Sequence, residues 1–517
     1  MSNNFRIENP RQILAETVQE LNSMSKIAEM EVRDYDGGAN NYDHPTYGRA
    51  NTPLLRKAGH AYADGISSLA VRGPNNPNPR TVSNEICKQT GSIPNELGLS
   101  SMMWGWGQFL DHVLDLTDAN PAEPVNVVTP LDDEFPSRTI LINRSLAVPL
   151  SVPREQPNAM SSYVDASAVY GAVYDRAYAL RRLDGSGKLK TSVADNGEIL
   201  PPYNLTGLPN APNTSSSFFL CGDVRVNENI LLTAMHTLFV REHNRLCDRF
   251  ASEGSEERIY QKARRYVSAL IQAITYREFL PALLGNNFIE SYTGYDPTIN
   301  VGINTEFSAA AFRVGHTMLT SVVKVSGGVD VPLRDAFFTP SYNQIHGVDA
   351  LLKGTTELLM QKIDGKVVED IRSFLFGPPN AQNLLDLVVL NIQRARDHGI
   401  PGYNAVRNAY GLSSRTFAQI TSDVAVQTKL QTLYGSPDYI DPWIGIVVED
   451  HLPGKPVGEL LFTIVSEQFR RLRDGDRFWY ENDQFMSGYV AEINNTKLSD
   501  VINRNCSVVV KSDVFRV

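Results

Sequence analysis

The stretch from Met103 to Thr117 limits the fold more than any other, because it sets polar side chains into an apolar segment. It contains no proline and its two glycines lie near its start, so the pattern predicts a helix. Residues three and four apart share one helix face. The polar side chains on that face are Gln108, Asp111, His112 and Asp115. Because an unpaired buried hydroxyl or amide costs roughly 1–3 kcal/mol, the face is expected to serve a polar internal site.

A histidine beside a carboxylate in such a place is a candidate acid/base pair. The alternative interpretation, a core helix with one satisfied histidine, is favoured for an isolated segment. The core-helix interpretation is less favoured for this chain, because three further segments pair charged or polar residues one helical turn apart. The pairs are Arg225 and Glu228 in C-G-D-V-R-V-N-E if that run is helical, Arg313 and His316 in the apolar helix A-A-F-R-V-G-H-T-M-L, and Asn391 and Arg394 in L-N-I-Q-R-A-R-D-H-G-I-P-G-Y-N.

Together these four segments resemble the animal-type haem peroxidase family of the peroxidase–cyclooxygenase superfamily. The likeness extends through D-G-G-A-N-N-Y-D-H-P-T-Y-G-R-A-N-T-P (36–53), S-Y-V-D-A-S-A-V-Y-G (162–171), M-H-T-L-F-V-R-E-H-N-R-L (235–246) and F-R-R-L-R-D-G-D-R-F-W-Y-E-N (469–482). Ordered matches cover roughly residues 33 to 506. A pattern this long and collinear is highly specific.

The expected fold is mainly α: a single large helical haem-peroxidase domain with long irregular loops and little β-structure. A length of 517 residues alone suggests about three domains. The resemblance overrules that estimate, since residues from 108 to 394 would build one site. We therefore expect an N-terminal extension at residues 1–30 and the catalytic domain at 31–517. Helical spacing of apolar residues predicts further helices at 10–35, 226–252, 255–284, 305–323, 379–398 and 456–473.

Composition excludes several classes of protein. A net charge of −10 and a pI of about 5.5 argue against non-specific nucleic-acid binding. No apolar run is long enough to span a bilayer. The four cysteines lack zinc-ligand spacing, and their disulfide state stays open. The N-terminus lacks a basic region followed by an apolar core, so we expect a cytoplasmic protein or one secreted without a Sec-type signal peptide.

The resemblance implies a haem and assigns residues to its proximal side. His316 matches the histidine that binds the iron. Asn391 matches the partner of the other imidazole nitrogen, which sets the orientation and basicity of the ring. Because a neutral amide donates less electron density than a carboxylate, the iron is expected to be easier to reduce. Arg313 and Arg394 match the partners of the haem propionates.

On the distal side the resemblance assigns three catalytic residues. His112 matches the acid/base that moves a proton between the two oxygens of hydrogen peroxide. Arg225 matches the cation that stabilises the developing negative charge, and Gln108 the residue that holds a distal water or a halide. The expected function is a peroxidase that oxidises halides, thiocyanate or small aromatic donors through an oxyferryl intermediate.

Asp111 and Glu228 match the two carboxylates that family members esterify to haem methyl groups. We therefore expect a haem b-derived cofactor held by two ester bonds. Some family members add a sulfonium link through a methionine directly after the glutamate. Asn229 occupies that position here, so a third link is excluded.

A calcium site is left open by the sequence. Ser161, Tyr163, Asp165 and Ser167 match the family's calcium loop, with Tyr163 offering its carbonyl oxygen. Family members also supply an aspartate directly after the distal histidine. Val113 occupies that position, and losing one of two carboxylates weakens an oxygen cage for a hard cation.

Two alternative functions make different predictions about the same residues. Fatty-acid dioxygenases of the superfamily carry a radical-forming tyrosine three residues before the proximal histidine, where this chain has Arg313. A haem-free adhesion or matrix protein of the same fold would be expected to lose His112, Arg225 or His316. All three are present, which favours the peroxidase.

Overall fold

The backbone is mainly helical in the computed structural model, which describes residues 31–376 and 384–517. Within these ranges the helices of eight or more residues are α1 (Met102–Leu114), α2 (Ile230–Arg249), α3 (Glu256–Ile274), α4 (Val348–Thr356), α5 (Leu387–Asp397), α6 (Val424–Tyr434), α7 (Glu459–Asp474) and α8 (Leu498–Asn505). Shorter helical pieces are Pro79–Val82, Ser83–Cys87, Ser167–Tyr170, Tyr174–Leu180, Ala251–Glu253, Thr275–Phe279, Leu280–Leu284, Thr305–Ala309, Ala311–Val314, Gly315–Met318, Leu333–Asp335, Pro340–His346, Glu369–Arg372, Tyr403–Ala409, Phe417–Ile420, Pro437–Tyr439, Pro442–Val448, Gln484–Tyr489 and Val490–Asn495. The predicted mainly α fold class is confirmed.

The β-structure of the described residues consists of short antiparallel pairs. They join Thr52–Pro53 to Pro157–Asn158, Ala119–Pro124 to Asn143–Ser145, Val127–Val128 to Thr139–Ile140, Ser192–Val193 to Ile199–Leu200, and Val322–Val323 to Val331–Pro332. Isolated two-stranded ribbons are only marginally stable, so these ribbons depend on the helices beneath them.

Side-chain caps decide where the helices near the site begin. Asn229 caps α2, because its side chain accepts a hydrogen bond from the backbone N–H of Leu232. Asp386 caps α5 in the same way, accepting from the N–H groups of Val388 and Val389. The predictions for 226–252 and 379–398 therefore began too early, while the end of α5 at Asp397 agrees with the predicted end at residue 398. Residues 377–383 lie outside the described residues.

The predicted helix at 305–323 is wrong. The chain forms Thr305–Ala309, Ala311–Val314 and Gly315–Met318 instead, with a break at Ala310 (φ −136°, ψ −71°). Within the segment, Arg313 Nε donates to the carbonyl of Ser308 across the break. A tertiary contact accompanies it, because Trp443 Nε1 donates to the carbonyl of Arg313. Apolar periodicity does not report such contacts. The helix predicted at 10–35 falls mostly on residues 1–30, which lie outside the described residues.

The core packs α1 against α2, with α3 and α4 on the other sides of α2. Close packing explains Gly105, one of the two glycines in the segment from Met103 to Thr117, since a Cβ there would come within 2.8 Å of the Leu231 side chain. Farther along, Phe109 stacks on Phe239 with ring centroids 5.3 Å apart. All four cysteines are free. Among the described residues, no helix has the length and apolar character that crossing a membrane requires.

Candidate active site

One cavity, with about 1280 Å³ of empty space including its open mouth, lies between α1, the start of α2, and the 311–319 segment. Its walls include nearly every residue that the sequence assigned to haem or to peroxide. These are Gln108, Asp111, His112, Arg225, Glu228, Arg313, His316 and Arg394. Asp115 lines it as well. The remaining residue, Asn391, lies behind His316. The structure therefore brings residues nearly 290 positions apart into one site.

The loop at 221–228 supplies Arg225 from a turn rather than from a helix. A Cβ on Gly222 would lie 2.3 Å from the backbone of Gly171 and Ser167, so only glycine fits there. Beyond this close approach the chain turns, and Arg225 folds back over Asp223. Arg225 Nε donates to Asp223 Oδ1 at 2.9 Å, and a terminal nitrogen donates to Oδ2 at 2.8 Å.

Asp223 is a candidate functional residue that the sequence analysis missed. It is 1% exposed, and its Oδ1 lies 3.5 Å from His112 Nδ1. That ring nitrogen has no hydrogen-bond partner in the described structure, so Asp223 faces an orphaned buried atom. The Gly-Asp dipeptide before Arg225 is a turn signal that could have drawn attention to it.

Charge and burial keep the histidine neutral and the aspartate ionised. Burial, followed by the charge of Arg225, holds the pKa of His112 well below its usual value. Burial alone would raise the pKa of Asp223, but Arg225 and His112 outweigh it, so the pKa is lowered. A neutral imidazole is available to accept a proton, and a carboxylate lies beside it to stabilise the imidazolium.

Asp111 and Glu228 are carboxyl groups without a side-chain hydrogen-bond donor among the described residues. Burial and the neighbouring Asp115 raise the pKa of Asp111. Burial raises the pKa of Glu228 to about 7. Glu228 Oε2 also lies 3.8 Å from His112 Nε2, which places it on the cavity side of the distal histidine.

His316 faces the cavity from the four-residue piece Gly315–Met318, and Asn391 of α5 holds it from behind. The side-chain amide nitrogen of Asn391 lies 2.9 Å from His316 Nδ1. A half-turn of the amide presents its oxygen to the same atom, which lets Nδ1 keep its proton and frees the lone pair of Nε2. Burial, then the charge of Arg313, lowers the pKa of His316 to about 3, so the ring is neutral as a metal ligand must be.

Two guanidinium groups are anchored so that part of each remains available to the cavity. Arg313 Nε donates a hydrogen bond to the carbonyl of Ser308. One terminal nitrogen of Arg394 donates hydrogen bonds to the hydroxyl of Ser145 (2.7 Å) and the carboxylate of Asp397 (3.3 Å). A neutral imidazole, two arginines and two carboxyls without hydrogen-bond donors form a donor set that fits a haem with its two propionates.

The loop matched to a calcium site has its oxygen atoms engaged in internal hydrogen bonds. Asp165 is its single carboxylate, and it accepts hydrogen bonds from Ser161 Oγ at 2.5 Å and Ser167 N at 2.9 Å. The Ser167 hydroxyl donates to the carbonyl of Val113 at 2.8 Å, and the Tyr163 carbonyl accepts from Asp165 N. No group of three His, Cys, Asp or Glu side chains able to hold a metal ion occurs within the described ranges. The loop satisfies its own polar atoms.

Comparison with known proteins agrees with this geometry. Residues 32–515 match the family model described as animal haem peroxidase. Peroxinectin A of Dictyostelium discoideum is 36% identical, with 94% of this chain and 96% of that protein covered. Thyroid peroxidase of Sus scrofa is 33% identical over 93% of this chain, which spans 60% of that protein. The solved structure of peroxidase A from Dictyostelium discoideum matches with a TM-score of 0.87 at 35% identity, covering 94% of this chain and all of that chain.

Solved structures of fatty acid dioxygenases are similar to this chain in fold. A fatty acid alpha-dioxygenase from Arabidopsis thaliana matches with a TM-score of 0.80 at 18% identity, covering 95% of this chain and 84% of that chain. Since fold does not determine chemistry, the residues around the cavity must decide between the two activities.

Proposed function

The chain belongs to the animal haem peroxidase family and is a peroxidase oxidoreductase, and from this premise we propose which residues use hydrogen peroxide and which donors they serve. The carrying observation is that His112 and Arg225 line the same cavity as His316, while Asp223 contacts both His112 and Arg225. The family implies a haem cofactor. When bound, haem supplies an iron that takes up peroxide and stores its two oxidising equivalents.

On the distal side, His112 accepts a proton from hydrogen peroxide at Nε2 and returns it to the departing oxygen. Its lowered pKa keeps the ring unprotonated before peroxide arrives. Arg225 stabilises the negative charge that develops as the O–O bond breaks. Its two bonds to Asp223 fix the guanidinium without side-chain motion, so the positive charge is already oriented.

On the proximal side, His316 would hold the haem iron through Nε2, and Asn391 orients the ring through Nδ1. Arg313 and Arg394 would hold the propionates of the haem with charge-assisted hydrogen bonds. Arg313 also occupies the position where the superfamily's dioxygenases carry a radical-forming tyrosine. This chain therefore lacks the residue that the alternative activity requires.

Asp111 and Glu228 would hold the haem through ester bonds to two of its ring methyl groups. Their raised pKa values indicate that the site disfavours two free carboxylates, and an ester removes the ionisable group. Each ester would require the loss of one hydrogen from the carboxyl and one from the methyl group, with one hydrogen peroxide reduced to two waters for each ester formed. Asn229 cannot add a sulfonium link, so the reduction potential favours iodide, thiocyanate and bromide over chloride as donors, with small phenols as further substrates.

Acid–acetone extraction followed by mass spectrometry tests the linkage on peroxide-treated, haem-loaded protein. Glu228→Gln should keep one ester and the double variant with Asp111→Asn should keep none. Asp115→Asn is a matched control, because Asp115 also lines the cavity but has no assigned bond. Haem that extracts freely from the treated wild type would refute the proposal.

Calcium has no part in holding this site. The loop offers a single carboxylate whose oxygens both accept internal hydrogen bonds. Elemental analysis of the purified protein should find less than stoichiometric calcium, and a chelator should leave the unfolding temperature unchanged. One tightly held calcium per chain would contradict this proposal.

A further inference from the structure

Asn229 connects the start of α2 to the distal wall of the cavity. Its Oδ1 accepts a hydrogen bond from the backbone N–H of Leu232 at 2.9 Å. Its Nδ2 donates to Gln108 Oε1 at 2.8 Å. Asn229 is 2% exposed, and both side chains line the cavity.

These two contacts determine which group donates in each of the hydrogen bonds that link Leu232, Asn229 and Gln108. A backbone N–H can only donate, so the atom of Asn229 that faces Leu232 must be its oxygen. The other end of the Asn229 amide is then the NH₂ group, and the Gln108 atom it meets must be an oxygen. It follows that the NH₂ end of Gln108 points away from Asn229. No described residue accepts a hydrogen bond from that end.

The Asn391 amide provides a contrast. It meets an imidazole nitrogen that either donates or accepts, so neither orientation of the amide is imposed. The orientation of Gln108, by comparison, follows from an atom of the main chain. Helix capping and the polarity of the distal wall are therefore set by the same side chain.

We propose that Asn229 is a positioning residue that keeps the NH₂ group of Gln108 turned into the cavity and thereby selects small anions over neutral donors. An amide N–H donates to a halide or thiocyanate, whereas an amide oxygen at the same place would repel it. The Arg225 guanidinium on the same cavity wall adds a second attraction for an anion. The inference rests on the proposed peroxidase function and names one class of its electron donors.

Asn229→Asp should reverse the orientation of the Gln108 amide while leaving the side-chain volume at position 229 nearly unchanged. Aspartate caps helices as well as asparagine does, so α2 should keep its start. The carboxylate has no donor, so the NH₂ group of Gln108 should turn toward it and present the amide oxygen to the cavity. Thiocyanate would then lose its hydrogen bond from the Gln108 amide and would face the added negative charge of the substituted side chain. Its binding should therefore weaken about 10- to 100-fold.

Asn229→Ser is the uncharged companion variant. Serine also caps the helix but is too short to reach Gln108, so the amide becomes free to take both orientations. Thiocyanate binding should weaken by about 2- to 10-fold. In a Gln108→Met background the same serine substitution should have no further effect, because the amide through which it acts is absent.

The measurement is a titration of the resting, haem-loaded protein with sodium thiocyanate, followed through the Soret band. Steady-state kcat/KM values for thiocyanate and for hydroquinone give the selectivity, and their ratio should fall in both Asn229 variants. Wild-type thiocyanate affinity in Asn229→Asp, or an equal loss for Asn229→Ser with and without Gln108, would overturn the inference. A wild-type protein that binds thiocyanate but does not react with hydrogen peroxide would instead overturn the proposed function.

Discussion

The two histidines of the cavity differ in what lies behind them. His112 has a buried carboxylate, Asp223, 3.5 Å from its Nδ1. His316 has the neutral amide of Asn391 at 2.9 Å from the same atom. A carboxylate suits a ring that must gain and lose a proton, because it stabilises the imidazolium. A neutral amide suits a ring that must stay uncharged while it binds a metal.

The two histidines also differ in how the backbone carries them. His112 lies on the 13-residue helix α1, where its position follows from the helical repeat. His316 lies on a four-residue piece that follows a break at Ala310. The position of the proposed acid/base is thus fixed by regular local structure, and that of the proposed iron ligand by the contacts of the surrounding helices.

Removing the proximal histidine, His316, should have the largest effect. His316→Ala deletes the proposed iron ligand, so the haem-loaded variant should lose the absorption spectrum of histidine-bound haem altogether. His44→Ala is the matched control, since His44 is exposed and lies outside the cavity. An unchanged spectrum in His316→Ala would show that another residue binds the iron.

Removing the distal histidine should slow the reaction with peroxide without removing haem. Loss of a general acid/base typically costs about 10²- to 10⁴-fold in rate. Stopped-flow mixing of His112→Ala with hydrogen peroxide should show this slowing in the Soret change, while the resting spectrum remains that of histidine-bound haem. A rate equal to that of wild type would assign the proton transfer elsewhere.

Asp223→Asn makes the distal histidine resemble the proximal one, with an amide behind it. The Arg225 charge is then no longer balanced, and both changes lower the pKa of His112 further, because Asp223 is the group that raises it. The rate with peroxide should fall by about 10-fold or more, and the acid limb of its pH profile should move to lower pH. A limb that moves to higher pH would contradict the assigned role.

Asn391→Asp makes the proximal histidine resemble the distal one and should have the smallest effect. A carboxylate on Nδ1 increases the basicity of the ligand and stabilises the oxidised iron, so the reduction potential should fall. Spectroelectrochemical titration measures it, with His44→Ala again as the control. A raised potential would show that Asn391 does not act on the ligand.

Much of the distal wall could be predicted because it depends on short-range rules. The 3.6-residue repeat of α1 places Gln108, Asp111 and His112 on one face whatever surrounds the helix. The start of α2 was predicted four residues too early, because the cap by Asn229 depends on a single side-chain hydrogen bond. The role of Asp223 was missed because the loop that carries it folds back only after Gly222 packs against another part of the chain.

By itself the sequence determined the mainly helical class, the family and most of the polar residues that line the cavity. These follow from periodicity and from a long ordered pattern of residues. Tertiary structure alone decided the break at Ala310, the carboxylate behind His112 and the direction of the Gln108 amide. Each of these depends on atoms distant in sequence, and hydrogen-bond polarity and burial exist only once those atoms are packed together.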